Sequence, residues 1–437
     1  MPRWRITPSQ RIALGYAGLC LVGALLLLLP FSQKTHVSVV DAIFTSASAL
    51  FVTGLSSVNT LHTFTPVGDL VIAALVQIGG IGITFLSTSF YLLLGRKLRL
   101  GDRRLLAEER NSSTRGIVRL FRRVVFFSFG IEGVAALMFT LYLHFRYGYT
   151  WAKAVGISCF HSISAFNNAG FDIWGNNLES FTRDPFMLLL TALLVILGGI
   201  GFVVLVELVR YPKQRRLSLH ARIVLGMSAL LLAVGTLLIL AFEWNKSMAN
   251  LSPGYKLLNA FFTSTVARTA GFDSVPIGNM QEVTWLILIL LMFIGASPGS
   301  TGGGIKTTSL FLILKTVAAN IRGRSQIVSG HRQIPWDLSQ RSLLIALLSG
   351  GVVLVCTLVD AAFEPNIPII KIIFEEVSAY GTVGLSTGIT GIIGPEMKWV
   401  LILTMYIGRI GIFTFLMSLV QRSQSRVQYV EERIFIG

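Results

Sequence analysis

The chain alternates long apolar runs with polar, mostly basic connections, and this alternation sets its organisation. Eight runs approach or exceed the roughly 20 residues that a bilayer-spanning helix needs. They cover 12 to 31, 67 to 94, 124 to 143, 185 to 209, 222 to 242, 284 to 319 (interrupted), 341 to 363 and 398 to 420. Between odd and even runs lie four apolar stretches too short to cross: SVVDAIFTSASALFVTGLSS, WAKAVGISCFHSISAFNNAGFDIW, YKLLNAFFTSTVARTAGFDSV and IIKIIFEEVSAYGTVGLSTG. Length and context predict re-entrant segments.

Aligned without gaps on Gly54, Gly170, Gly271 and Gly384, the four stretches agree. Ten residues before each glycine stands Phe44, Phe160, Phe261 or Phe374, and six before stands Ser48, Ser164, Thr265 or Ser378. Five before comes Ala49, Ala165, Val266 or Ala379. The glycines are 116, 101 and 113 residues apart, about a quarter of the chain each. This is a fourfold internal repeat. Each unit reads span, short helix, extended glycine-centred loop, span, with boundaries at 1–100, 101–215, 216–325 and 326–437.

The second span of each unit carries a glycine cluster whose first glycine lies 24 to 28 residues beyond the loop glycine, within Ile78 to Gly82, Leu197 to Gly201 and Ile407 to Gly411. In the third unit the equivalent place opens GASPGSTGGGIKTTS, from Gly295 to Ser309. That stretch is a near miss to a nucleotide-phosphate loop, because Ile305 separates Gly304 from Lys306. A phosphate loop also needs a strand before it and water around it, whereas both flanks here are lipid-compatible. Gly295, Ser297, Pro298, Gly299, Ser300, Thr301, Gly302, Gly303 and Gly304 instead stop a span halfway, with Ser300, Thr301, Thr307 and Thr308 available to satisfy the released backbone groups. A mobile gate beneath the loops is the expectation, with Lys306 as a positive charge near the ion path. A static kink is the plainer alternative.

Composition agrees. Of 437 residues 53% are hydrophobic and 13% charged, with a mean hydropathy of +0.69, whereas a soluble domain carries roughly a quarter charged residues. The first run follows Arg3, Arg5 and Arg11 but is too long for a signal core, so it reads as a retained span. The net charge of +16 is unevenly placed: ten basic residues lie between Arg96 and Arg123, five between Arg210 and Arg222 and five between Lys315 and Arg341. The positive-inside rule then puts both termini in the cytoplasm of a multi-pass cytoplasmic-membrane protein, and a nucleic-acid role is unnecessary. Cys20, Cys159 and Cys356 and the six histidines are scattered, which gives no metal spacing and no catalytic triad. Cysteines so placed are expected to be small packing residues, and the chain reads as a non-enzyme.

A glycine recurring in four equivalent loops suits an extended backbone that turns carbonyls toward a common axis. Rings of such carbonyls can replace the hydration shell of a potassium ion. The expected filter is Val52-Thr53-Gly54, Asn168-Ala169-Gly170, Thr269-Ala270-Gly271 and Thr382-Val383-Gly384, the last of which resembles the Thr-Val-Gly of potassium-channel filters. On these four glycines, the broken sixth span and Arg409 in the last span, the chain is identified as resembling the Trk/Ktr/HKT superfamily of potassium transporters, most closely the membrane subunits of bacterial Ktr systems. The resemblance covers nearly the whole chain. It implies an all-α integral membrane fold, with eight transmembrane helices in four span–pore helix–span repeats around one pseudo-fourfold central pore. It further implies potassium uptake, often sodium-assisted, through a homodimer on a cytoplasmic KtrA-like ring of nucleotide-binding regulatory subunits, with no nucleotide bound by this chain.

Charged residues inside the apolar segments complete the expectations. Arg409 lies mid-span, where an unpaired charge costs at least about 3 kcal/mol; it reads as a positive barrier beneath the filter or as a lock on a carboxylate or helix carbonyls. Asp172 and Asp273 follow their glycines by two residues and would concentrate cations at the outer mouth, or simply form turns. Arg268, three residues before Gly271, could repel entering cations, but is expected behind the filter, paired with a carboxylate such as Glu376. Glu132 and Glu207 read as interhelical hydrogen-bonding groups, with proton or sodium coupling as the alternative. The stretch from Gly95 to Arg123 and the tail from Gln421 to Gly437 are candidate docking surfaces for a partner, or for anionic lipid headgroups. A secondary cation transporter with rocking repeats is the rival function, but its inverted repeats would enter from opposite sides; a structural scaffold would not need four aligned glycines.

Overall fold

The structure, a computed structural model, describes residues 7–82, 117–324, 326–330 and 332–419. The candidate docking tail, and the candidate docking stretch up to residue 116, lie outside these residues.

The described helices follow one order in the four segments: span, short helix, loop, span. The first has α1 (Pro8–Leu28), α2 (Val39–Leu50) and α3 (Pro66–Ile81). The second has α4 (Ile117–Tyr147), α5 (Trp151–Asn167), α6 (Pro185–Gly199) and, after a bend of 105°, α7 (Phe202–Gln214). The third has α8 (Leu219–Glu243), α9 (Pro253–Val266), α10 (Glu282–Phe293) and α11 (Thr307–Ile321). The fourth has α12 (Trp336–Phe363), α13 (Ile369–Gly381), α14 (Pro395–Ile410) and, after a bend of 100°, α15 (Ile412–Leu419). One antiparallel hairpin, β1 (Ile327–Ser329) with β2 (Arg332–Ile334), joins the third and fourth repeats. Among the described residues it is the departure from an all-helical chain.

Local chemistry explains where the helices start. Thr7 and Gln10 form a capping box on α1, and Ser38, Thr65, Asp184 and Ser218 accept first-turn amides on α2, α3, α6 and α8. Proline opens α1, α3, α6, α9 and α14, where its missing N–H costs nothing. By length and hydropathy α1, α8, α12 and the Arg123–Tyr147 part of α4 can each cross a membrane, and the bent pairs α6–α7 and α14–α15 qualify together. The shorter apolar helices α3, α10 and α11 occupy the remaining two predicted spans, one running on past the described residues and one broken, so the structure is consistent with eight.

Leu343, Leu347, Leu354 and Leu358 of α12 are exposed, which costs nothing against lipid tails. The short helices bury their C-terminal halves instead. Each is clasped by the second span of the preceding repeat: α3 packs on α5, α6 on α9, α10 on α13 and α14 back on α2. The repeats therefore close into a ring. Gly79, Gly198 and Gly408 allow the tightest contacts, because a Cβ there would overlap the carbonyl oxygens of Leu50, Phe166 and Tyr380 near the ends of α2, α5 and α13.

Candidate ion path: four glycine loops and the loop beneath them

The four short helices end in one unusual conformation. The residue two before each loop glycine is left-handed, with φ of 59° at Val52, 61° at Asn168, 78° at Thr269 and 49° at Thr382. Three of these are β-branched, for which such a φ costs on the order of 1–3 kcal/mol. Backbone bonds to the helix end hold the turn. The Thr53, Ala169 and Val383 amides donate to the Ser48, Ser164 and Ser378 carbonyls, each at 2.8 Å, and the Ala270 amide donates to the Val266 carbonyl at 2.9 Å. The Gly54 and Gly384 amides donate to the Ser48 and Ser378 hydroxyls at 3.0 and 3.1 Å. With these amides turned into the helix ends, the loops do not present them to the axis.

The loops meet in a closed circle. A Cβ on Gly54 would overlap the Ala169 carbonyl oxygen, one on Gly170 the Ala270 oxygen, one on Gly271 the Val383 oxygen, and one on Gly384 the Thr53 oxygen. Each glycine has positive φ, from 67° to 96°. Glycine is thus required twice over, by conformation and by the neighbouring carbonyl. The result is a ring of four oxygens, from Thr53, Ala169, Ala270 and Val383. At the Asn168 side of the ring, its carboxamide meets the Thr269 hydroxyl at 3.2 Å in either amide orientation.

The loop between α10 and α11 lies directly against this ring. A Cβ on Gly302 or Gly303 would overlap the hydroxyl of Thr269 or Thr382, and the Gly303 amide donates to the Thr382 hydroxyl at 2.9 Å. On the second repeat, the Ser297 and Thr301 amides donate to the Gly199 and Gly198 carbonyls at 3.0 and 3.3 Å, and the Phe202 amide donates to Gly299 at 3.0 Å. Arg409 donates to the carbonyls of Thr301 in the loop and Gly79 in the first repeat. Lys306 turns back onto the loop, donating to Gly302 at 2.8 Å and Gly303 at 3.1 Å. Partners on other elements thus satisfy much of the released backbone, rather than the loop's own hydroxyls; Ser297 and Thr307 instead pair with each other at 2.9 Å. The reason is geometric, since the loop is folded against the second and fourth repeats and tied to the first through Arg409.

The chain as a whole has known relatives. Residues 20–428 match the family described as TrkH, cation transport protein. The chain belongs to the TrkH cation transport family. The Ktr system potassium uptake protein B of Bacillus subtilis is 38% identical to it, covering 100% of this chain and 98% of that protein. The potassium/sodium uptake protein NtpJ of Enterococcus hirae is 34% identical with the same coverage. The crystal structure of the potassium transporter TrkH from Vibrio parahaemolyticus has the same fold, with a TM-score of 0.77 over 96% of this chain and 86% of that one at 20% identity.

Around the path of this TrkH-family chain, several expected residues take other partners. Arg268 does point behind its loop, but it donates to the Ser228 carbonyl and hydroxyl at 3.3 and 3.1 Å, not to Glu376. It faces the seam of the second and third repeats, whereas Glu376 belongs to the fourth. Asp172 accepts the amides of Trp174, Gly175 and Asn177 at 3.0, 2.7 and 3.1 Å, so its charge is tied to a turn. Burial first, then the charges of Glu179 and Asp172, push the Asp273 carboxyl up to about 8. Glu132 bridges helices as expected, accepting from Gln77 at 3.2 Å and Asn167 at 3.0 Å, while Glu207 accepts the Ser218 amide at 3.0 Å across a turn. Cys20 and Cys356 are buried, but Cys159 is exposed. Among the described residues no group of three or more His, Cys, Asp or Glu could hold a metal ion.

The left-handed residues are the site feature that sequence reasoning missed. Val52 and Thr382 are poor candidates for that conformation by type, and only their shared offset from the glycine marked them.

Proposed function

We propose that this chain takes up potassium ions through the ring of carbonyl oxygens from Thr53, Ala169, Ala270 and Val383, with the residues that flank them forming the rest of a filter. The observation that carries this reading is the closed circle of four glycine loops. Oxygen dipoles on a ring can substitute for water around a weakly hydrated cation, and the short helices point their negative ends toward it. The names of the relatives, potassium uptake proteins of Ktr systems, support potassium as the cargo. Sodium assistance is supported by the E. hirae relative, named for both ions.

The glycine-rich loop from Gly295 to Gly304 is the gate in this reading. It covers the ring from one side; Arg409 ties it there, Lys306 braces its fold, and a cation must pass both positive charges. Asp172 and Asp273 flank the opposite mouth. Regulation would come from a nucleotide-binding partner on the basic face, in keeping with the Ktr-system names, with the chain working as a homodimer and its basic segments meeting anionic lipid. The rocking-transporter alternative finds no inverted pair among the four units.

Growth on low potassium of cells stripped of their own uptake systems tests the reading. The chain with its partner should restore growth, and serine at Gly54, Gly170, Gly271 or Gly384 should weaken uptake or its selectivity. No rescue by the well-expressed wild type would defeat it.

A further inference from the structure

Asp360, in the last turn of α12, and Glu376, on α13, lie against each other inside the fourth repeat. Both side chains are fully buried, and among the described residues none of their four carboxyl oxygens accepts a backbone amide or meets a cation. Thr404 of α14, also fully buried, brings its hydroxyl against Glu376. No cation answers them: the ion pair among the described residues is Lys398 with Asp41.

The adjacent Glu375 shows the contrast. It too is fully buried, yet its carboxylate accepts from Ser386 at 2.6 Å, the Thr387 amide at 3.0 Å and Thr390 at 2.8 Å. That is how this fold accommodates a buried charge. At Glu376 it supplies one hydroxyl and a second carboxyl. Two touching carboxylates without a cation cannot both be ionised, and the usual solution is one proton held between them. The carbonyl ends of the helices point the same way, because Asp360 sits where the dipole of α12 disfavours negative charge.

We propose that Asp360 and Glu376 form a proton-binding site beside the ion path, coupled to the fourth glycine loop. The coupling runs through α13. Glu376 precedes Ser378 by two residues, and Ser378 accepts the Val383 amide on its carbonyl and the Gly384 amide on its hydroxyl. Losing the shared proton sets two charges against each other, strains the packing of α12 on α13, and shifts the helix end that holds this loop. The other titratable groups around the pair are Cys356 and Glu364 from α12 and the residue after it, and Glu375 on α13. Of the other helices packed there, α14 adds the Thr404 hydroxyl, and none adds a cation within ion-pair distance among the described residues.

Occupancy of the site does not depend on the potassium reading; its effect on uptake does. The full chain in lipid vesicles, followed by infrared spectroscopy, should show a protonated-carboxyl C=O band that shifts in D2O. Difference spectra against Asp360→Asn and Glu376→Gln should assign it, because removing either carboxyl destroys a shared proton, so one folded variant suffices. A band unchanged in both variants overturns the site. Sodium added at constant pH and ionic strength should leave the band alone; if sodium removes it, the site takes an alkali cation and the proton assignment fails. Should neither variant fold, Asp360→Glu, which keeps both carboxyls but moves one of them, should shift the band; a band it leaves unmoved overturns the site. Rubidium uptake by the wild type should change over the pH range in which the band is lost and be flat there in the variants. An identical pH profile in wild type and variants would sever the coupling to the fourth loop.

Discussion

Arg409 at the end of α14 donates to the carbonyl of Thr301, 108 residues away in the loop beneath the glycine ring. Its other arm donates to Gly79 of the first repeat. One guanidinium therefore ties the candidate gate to the far side of the ring, and lock and barrier become two consequences of one placement.

Arg409→Ala should leave the protein folded and raise rubidium flux in proteoliposomes. A hydrogen bond to a charged group contributes about 1.5–3 kcal/mol, so freeing the loop should raise its open population roughly tenfold or more. Arg409→Lys keeps the charge but lacks a fork that can reach two carbonyls. A lysine variant as tight as wild type would assign the effect to charge; flux unchanged in the alanine variant would remove Arg409 from the gate.

Gly384→Ser should cut uptake at limiting potassium by roughly tenfold, the effect of ~1.4 kcal/mol lost from ion binding. Its φ of 96° and the Thr53 carbonyl both exclude a side chain. At Gly18, on α1, a Cβ would meet nothing within 4 Å, so Gly18→Ala is the control and should transport normally. Equal uptake by the two variants would argue against the ring as the ion's route.

Thr382→Val removes the hydroxyl that accepts the Gly303 amide while keeping the shape. The orphaned amide should loosen the loop, raising flux and exposing a cysteine placed at Ser300 to thiol reagents, whereas Thr382→Ser should retain the bond. Protection of that cysteine equal in both variants would mean that the bond does not hold the loop.

Lys398 and Asp41 meet at 2.8 Å, joining α14 to the first turn of α2. Burial alone would raise the Asp41 carboxyl, but hydrogen bonds from Lys398, Ser38 and Ser57 hold it below its ordinary value. Its stabilisation is therefore present above the unfolded carboxylate value of about 3.9 and disappears as pH falls through the lower native one. Thermal stability of the wild type should fall more on acidification than that of Lys398→Met, by under about 1 kcal/mol for a pair this near the surface. Parallel pH profiles would show that the pair contributes nothing.

Much of the fold was legible because its signals are local. Span length, the start of α6 at Pro185 behind Asp184, and the common offset of Phe44, Phe160, Phe261 and Phe374 from their glycines all follow from near neighbours in the chain. The six-before hydroxyl was visible as a pattern, but its use was not. Ser48 and Ser378 accept the glycine amide, whereas Ser164 donates to Phe171 at 2.7 Å and Thr265 to Phe261 within its own helix at 2.8 Å.

The sequence by itself determined the membrane class, the four repeats, the loop glycines and the broken third-repeat span, because periodicity and backbone freedom are properties of short stretches. Only the tertiary structure decided that Arg268 turns to Ser228, that Arg409 reaches Thr301 and Gly79, and that Asp360 meets Glu376. Those choices depend on which repeat stands beside which, and on the scarcity of partners in a low-dielectric interior, where a polar group takes whatever closing the ring brings within reach.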